Sequence, residues 1–294
     1  MRLSSGTMET NVTRRALVLG GGGVAGIAWE IGVLAGLAES GIDVTSADMV
    51  VGTSAGSVVA AQITSGLSMA ELLARQVDPA LQCEELVPVL ELQTLWAAIG
   101  AIMNETKDVN EARRRFGALA LSANTVSESA RRAVIAGRLP EHKWPQRRLV
   151  LPAVDAQTGL PRLFTNDSGV ELVDAVAASC AVPGMWPTTT IEGSRYLDGG
   201  IRSNENADLA AGFDRVLVLC VMEMPGAAQW RLDLDPQVAA LRTFGSRVEV
   251  IRADEAAVRA FGTNPLAPST RTPSAQAGLA QGRAEADRIR SLWM

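Results

Sequence analysis

The chain is poorest in histidine. His142 is the only one among 294 residues. A mechanism that needs an imidazole base has one residue to draw on. Cysteine is nearly as scarce. Cys83, Cys180 and Cys220 are widely spaced and odd in number. They form no disulfide framework and show no metal-ligand spacing, so buried free thiols in a reducing compartment are expected. Basic charge is not in excess either. The net charge of -5 argues against nucleic acid as a partner and leaves no basic belt for anionic lipid. No uninterrupted apolar run reaches the ~18 residues of a membrane span. Met1 to Arg15 is polar and lacks the apolar core and cleavage site of a secretory signal. These absences predict a flexible leader over 1–14 and a cytoplasmic location.

What remains is a globular composition, with 47% hydrophobic and 20% charged residues. The length supports a sizeable core. Ala16–Leu19 is a short apolar run of strand type, and Gly20-Gly21-Gly22-Gly23-Val24-Ala25-Gly26 follows it. Ile27–Ser40 has helical spacing of apolar residues, and Gly41 is placed to end that helix. Ala47–Val51 reads as a second strand. The order strand, glycine loop, helix, strand describes parallel α/β winding. Residues 66–140 instead read as several helices, a helical insertion or a cover over an apolar cleft. Sheet signals return at Arg148–Val154 and Pro161–Thr165, a hairpin-like pair. Asp214–Met222 is nearly continuous in apolar residues, typical of a buried parallel strand. Ala275–Trp293 is expected to close the chain as one helix. No internal repeat or low-complexity linker divides the sequence. A single domain over 15–294 is expected, with 223–294 completing the α/β fold.

Three motifs carry chemistry. The first, Gly52-Thr53-Ser54-Ala55-Gly56, reads G-x-S-x-G between the second strand and a helix. That context makes a nucleophile elbow, with Ser54 pushed out at a helix N-terminus. The second is the loop Gly21–Gly26, whose N–H groups can converge on a developing oxyanion. The same residues match a dinucleotide fingerprint, with Asp43 about 17–22 residues further on as its acid. Asp43, however, precedes the second strand. The third motif is Asp198-Gly199-Gly200, a carboxylate at a strand end with two glycines to bring it close to another loop. A serine nucleophile needs a base. His142 precedes the downstream acids, contrary to the order of α/β-hydrolases, and reads as a surface loop residue. A carboxylate base is left, and Asp198 has the best context.

Together, Gly21–Gly26, Gly52–Gly56 and Asp198–Gly200 resemble the patatin-like phospholipase family in order and spacing. Ala178-Ser-Cys-Ala-Val-Pro-Gly-Met-Trp-Pro187 is similar to a fourth block of that family. The resemblance spans roughly residues 15–222. It implies a three-layer α/β/α sandwich with a central, mostly parallel sheet, and a Ser–Asp dyad without histidine. Ser54 would be the nucleophile and Asp198 its base. Gly22 and Gly23, with Gly21 and Val24 beside them, would supply the oxyanion hole. Gly26, Gly52, Gly56, Gly199 and Gly200 would support the motifs. The implied activity is hydrolysis of lipid acyl esters through an acyl-enzyme, without metal or cofactor, with transient peripheral contact at a membrane face. Many bacterial relatives carry Arg or Lys where this chain has Ala25, so a phosphate head group is the less secure part of the implication. Trp186 is a candidate for either the acyl pocket or core packing. Two rivals stand beside this reading: a lipid-binding or regulatory protein without turnover, and a dinucleotide-binding protein. Head group, chain length, acyl acceptor and oligomeric state are left open by the sequence.

Overall fold

The computed structural model describes residues 13–86, 88, 92–106, 108–222 and 232–294. The expected leader lies almost wholly outside these residues, as do 87 and 89–91 of the helical region and 223–231 of the C-terminal completion. The core of the fold is a parallel sheet. Strand β1 (Arg15–Leu19) lies between β2 (Met49–Gly52) and β7 (Arg215–Cys220). Strand β3 (Arg148–Asp155) pairs parallel to β2, and β8 (Arg247–Arg252) parallel to β7. The remaining strands are antiparallel. They are β4 (Pro161–Thr165) on β3, β6 (Ser194–Asp198) on β3, and β5 (Thr189–Ile191) on β6. The sheet is therefore mixed and mostly parallel, as the sequence leads one to expect, with β3, β2, β1, β7 and the edge strand β8 parallel and the antiparallel strands gathered at the β3 end.

Alternation along β1 shows the layering. Leu17 and Leu19 belong to one buried cluster, Ala16 and Val18 to another on the opposite face. The first cluster holds the helices α1 (Gly23–Glu39), α2 (Ala55–Ile63) and α7 (Leu172–Ser179). The second is covered by α8 (Leu234–Thr243) and the short 3-10 helix Ala207–Ala210. Helix α1 is buried from Val24 to Leu37, which is why it is apolar on every side except at the buried Glu30. It starts at Gly23, inside the glycine loop, earlier than the apolar spacing alone predicts.

The helical region contains α3 (Met69–Val77), α4 (Leu92–Glu105), α5 (Val109–Ser122) and α6 (Glu128–Arg138). Ser68, Asp108 and Ser127 cap the N-termini of α3, α5 and α6, each accepting from the backbone N–H three residues on. The chain ends in α9 (Glu255–Phe261), α10 (Arg271–Ala284) and α11 (Ala286–Trp293). The single closing helix expected from sequence is thus two. Their buried stripes face different neighbours. Helix α10 lays Ala275, Gly278 and Gly282 on α1, where Gly278 and Gly282 touch the α1 backbone. Helix α11 buries Ile289, Leu292 and Trp293 and packs on β8. One straight helix cannot serve both.

The register of the sheet brings the motifs together. Val150 pairs with both Val51 and Thr165, and Ala153 pairs with both Arg162 and Asp198. A strand residue has one neighbour on each side. Strand β4 therefore occupies one edge of β3, while β2 and then β6 share the other. Asp198, the last residue of β6, pairs three residues beyond Val150, and Ser54 lies three residues beyond Val51. Both reach the same height on the sheet. Leu19 pairs with Gly52, which sets the loop from Gly20 at that height as well.

Candidate active site

Ser54 occupies a strained turn. Its φ of 52° and ψ of -114° are rare for a residue with a side chain. The strain is held by packing on every side. A Cβ at Gly52 would overlap the Gly56 carbonyl, and one at Gly56 would overlap the Leu19 carbonyl. The Gly56 N–H donates to the Gly20 carbonyl at 3.0 Å, tying the elbow to the glycine loop. The backbone of Ser54 is also gripped. Its N–H donates to Ser179 Oγ at 3.1 Å, and its carbonyl accepts from Ser57 Oγ at 2.6 Å and Cys180 Sγ at 3.1 Å. Cys180, read from sequence only as a buried thiol, is therefore a brace for the elbow. Ser179→Ala is expected to lower kcat about 10-fold with little change in KM and to cost ~1–2 kcal/mol of stability, since it orphans a buried N–H. Steady-state kinetics and urea unfolding would check both.

Asp198 is buried at the end of β6, with its N–H donating to the Ala181 carbonyl at 2.9 Å. Oδ1 accepts the Gly200 N–H at 2.7 Å, whereas Oδ2 has no hydrogen-bond partner. Burial pushes the Asp198 pKa up to about 6, against partial relief from the Gly200 N–H, the Ser54 hydroxyl and Arg131. The Ser54 hydroxyl is near enough to favour the carboxylate, yet it makes no hydrogen bond to Oδ2, which stays unpartnered. Such contacts are often long in a free enzyme and tighten on substrate binding. A carboxyl group that ionises near pH 6 is a better base at neutral pH than an ordinary aspartate.

The N–H groups of the glycine loop divide into engaged and free ones. The Gly21 N–H already donates to the Asn204 carbonyl at 3.0 Å, so it is not free for an oxyanion. Ala25 N–H donates to Pro265 O and Gly26 N–H to Gly22 O, both at 2.9 Å. Among the described residues, the N–H groups of Gly22, Gly23 and Val24 donate to nothing, at the N-terminus of α1. Gly23 has φ of 64°, and a Cβ there would meet Leu266 and the Pro265 carbonyl. Val24 lines a separate small cavity.

Ser54, Asp198, Gly21, Gly22, Gly23 and Gly200 line one cavity of about 770 Å³. Its walls are mostly apolar. Ile99, Phe116, Val182 and Met185 contribute from one flank, and Val221, Met222, Val258 and Phe261 from the other. The second flank, with the loop Gly262–Leu266, was not foreseen from sequence. Neither was the segment 203–206. Asn204 donates to the Gly21 carbonyl at 3.2 Å and to Glu205 Oε1 at 2.9 Å. Asn206, in the left-handed region at φ 55°, donates to Thr53 Oγ1 at 3.0 Å and to the Ser203 carbonyl at 2.6 Å. One buried asparagine thus touches the elbow from the loop that follows Asp198. The available signal was the polar run Arg202-Ser-Asn-Glu-Asn206, set within a chain that is otherwise apolar around its motifs.

Two sequence candidates fall elsewhere. His142 is exposed and its ring Nε2 sits 3.0 Å from the Ala136 carbonyl, outside the cavity lining. Trp186 is buried and does not line the cavity. Asp43 lies before β2, at the end of the sheet opposite the glycine loop, and its Oδ1 accepts from Thr45 N–H at 2.9 Å. That position removes it from any ribose placed at the loop.

A family model for patatin-like phospholipase matches residues 17–211, about two thirds of the chain. The chain belongs to the patatin-like phospholipase family. The match includes the glycine loop, the elbow and Asp198, and ends before the cavity's second flank. The patatin-like chain is also similar to solved structures. VipD from Legionella pneumophila is 14% identical, with 94% of this chain and 67% of that chain covered at a TM-score of 0.48. The type III effector ExoU is 14% identical, with 94% and 53% covered at a TM-score of 0.40. ExoU from Pseudomonas aeruginosa in complex with SpcU gives 15% identity, 96% and 53% coverage and a TM-score of 0.40. The chain spans about two thirds of VipD and about half of ExoU. No curated protein matches it. No helix among the described residues is long and apolar enough to cross a membrane.

Proposed function

We propose that the protein hydrolyses acyl esters of lipids, with Ser54 as nucleophile and Asp198 as general base. One observation carries this reading. A strained serine, a buried carboxyl group with one free oxygen, and unengaged backbone N–H groups all face a single apolar cavity. Ser54 Oγ attacks the acyl carbonyl carbon while its proton passes to Asp198. The carbonyl oxygen becomes an anion, met by the N–H groups of Gly22 and Gly23 and by the positive end of α1. Collapse breaks the ester bond, and the leaving alcohol takes the proton from Asp198. Water then attacks the acyl-enzyme, gives its proton to Asp198, and releases the fatty acid as Ser54 recovers its hydrogen. The cavity volume of about 770 Å³ lies within the range of sites that enclose small organic ligands. Apolar walls on both flanks suit a substrate with hydrocarbon on the acyl and the alcohol side.

The test is covalent labelling with a fluorophosphonate, read by intact mass and peptide mapping. A single adduct on Ser54 is expected, absent from Ser54→Ala and formed at least 100-fold more slowly by Asp198→Asn. No adduct on the folded wild type, with and without detergent, would remove the hydrolase reading and leave a lipid-binding protein of the same fold.

A further inference from the structure

Arg131 projects from α6, in the helical cover, and is buried. Helix α6 is fixed from outside. Arg132 pairs with Asp174 and Glu171 at the start of α7, and Glu128 accepts from the Thr190 hydroxyl of β5 at 2.9 Å. The guanidinium carbon of Arg131 sits 3.8 Å from the centroid of the Trp186 ring. Its Nε and Nη1 have no hydrogen-bond partner. A stack on indole satisfies part of a cation, not all of it. A buried charge normally has a counter-charge.

The obvious counter-charge is already engaged. Glu85 is nearly fully buried, and both of its oxygens are held, by Arg138 and by Arg271. Burial would raise the Glu85 pKa, but Arg138 first, then Arg271 and Arg131, hold it below the ordinary value. Two buried arginines thus hold this carboxylate, and Arg131 acts on it only at longer range. The second buried carboxyl group in reach is Asp198, whose Oδ2 is unpartnered. The short run Ala181–Trp186 links the two sites through one hydrogen bond and one cation–π contact. Ala181 accepts the Asp198 N–H, Val182–Met185 turns beside the cavity, and Trp186 carries Arg131.

We propose that Arg131 is a positioning residue for the dyad, supplying from the helical cover the buried positive charge that balances ionised Asp198 without touching substrate. The groups that act on Asp198 among the described residues come from several elements. They are the Ser54 hydroxyl from the start of α2, the Cys180 thiol after α7, the Gly200 N–H of its own loop, and Arg131 from α6. Burial first, then Asp198, pushes the Cys180 thiol up, so at neutral pH it is uncharged. Arg131 is therefore the cation of this set. Its own pKa, lowered to about 10 chiefly by burial and then by Arg138, keeps it charged wherever Asp198 titrates.

The inference rests on the proposed role of Asp198, and its test separates the two. Labelling of Ser54 by fluorophosphonate is followed from pH 5 to 9 in wild type, Arg131→Gln, Arg131→Met and Arg131→Lys. In parallel, the Asp198 carboxyl carbon is titrated by NMR, assigned by its loss in Asp198→Asn. Both neutral variants are expected to move the acid limb and the Asp198 titration up by about one pH unit. Labelling at pH 6 then falls several-fold and recovers towards pH 9. Arg131→Lys, which keeps charge but loses the planar stack, is expected to hold the limb near its wild-type position. Unmoved titration in the neutral variant that folds would overturn the proposal, as would Arg131→Lys moving as far as Arg131→Gln. Absence of any Ser54 adduct would instead strike the hydrolase reading, while the Asp198 titration would still report on Arg131.

Discussion

Asp198→Asn is expected to reduce kcat/KM about 1000-fold at pH 8 and, at the same pH, to make the protein more stable. The two effects have one cause. Burial holds the Asp198 pKa near 6, above its ordinary value of 3.8. The folded protein binds this proton more tightly than the unfolded chain does. For this group, stability is therefore greatest at low pH and declines as pH rises from about 4 to about 6. Above that window the folded state carries a constant penalty for the buried anion. The gap between the two values amounts to about 3 kcal/mol at 1.36 kcal/mol per pH unit. Asparagine keeps an oxygen to accept the Gly200 N–H and carries no charge, so it recovers up to about 3 kcal/mol of this penalty. It cannot take a proton from Ser54, and the lost base accounts for the fall in rate. Thermal unfolding at pH 8 and at pH 4 is the check. A gain in melting temperature at pH 8 that vanishes at pH 4 is the expected signature. Equal stability at pH 8, or a gain as large at pH 4, would mean that Asp198 is not the strained anion described. The acid limb of the wild-type pH–rate profile is expected near pH 6.

Gly56→Ala is expected to be strongly destabilising. The added methyl group would overlap the carbonyl of Leu19 and lie 2.7 Å from the Leu19 Cβ. Both sit on β1, an interior strand held between β2 and β7, and backbone there cannot retreat. Overpacking of this kind costs ~1–3 kcal/mol where side chains can yield and more where they cannot. We expect a loss of ~3–5 kcal/mol in urea unfolding, or insoluble protein, together with loss of Ser54 labelling. Gly137→Ala provides the opposite sign. That glycine lies in α6 with no atom within 4 Å of an added Cβ, so helix propensity should make the variant ~0.5–1 kcal/mol more stable. If Gly56→Ala folds and labels as wild type does, the close approach of α2 to β1 is not what holds the elbow.

The same close approach explains how much was legible beforehand. Gly52, Ser54 and Gly56 stand within five residues of chain, so the strand, the turn and the helix that make the elbow are written locally. The glycine loop between β1 and α1 is local in the same sense. Hydrophobic runs such as Ala16–Leu19 and Val216–Cys220 announced buried parallel strands, because a strand covered on both faces has no polar alternation to show. The single His142 narrowed the choice of base to a carboxylate before any geometry was known.

Other features depend on distance in space between residues far apart in the chain. That Gly21 is not an oxyanion donor follows from Asn204, 183 residues away, whose carbonyl takes its N–H. The grip of Ser179 and Cys180 on Ser54 joins residues 125 and 126 apart. Part of the second flank of the cavity comes from α9 and the loop after it, where the local pattern shows a helix and nothing that points to a site. Periodicity reports which face of an element is buried, and says nothing about what lies opposite. Sequence by itself determined the α/β class, the three motifs and the exclusion of an ordinary histidine triad, because each depends on residue type and local spacing. Only the tertiary structure decided the raised pKa of Asp198, the division of labour within the glycine loop and the placement of Arg131. Those are properties of a dielectric boundary and of partners, which exist only once the sheet has closed over them.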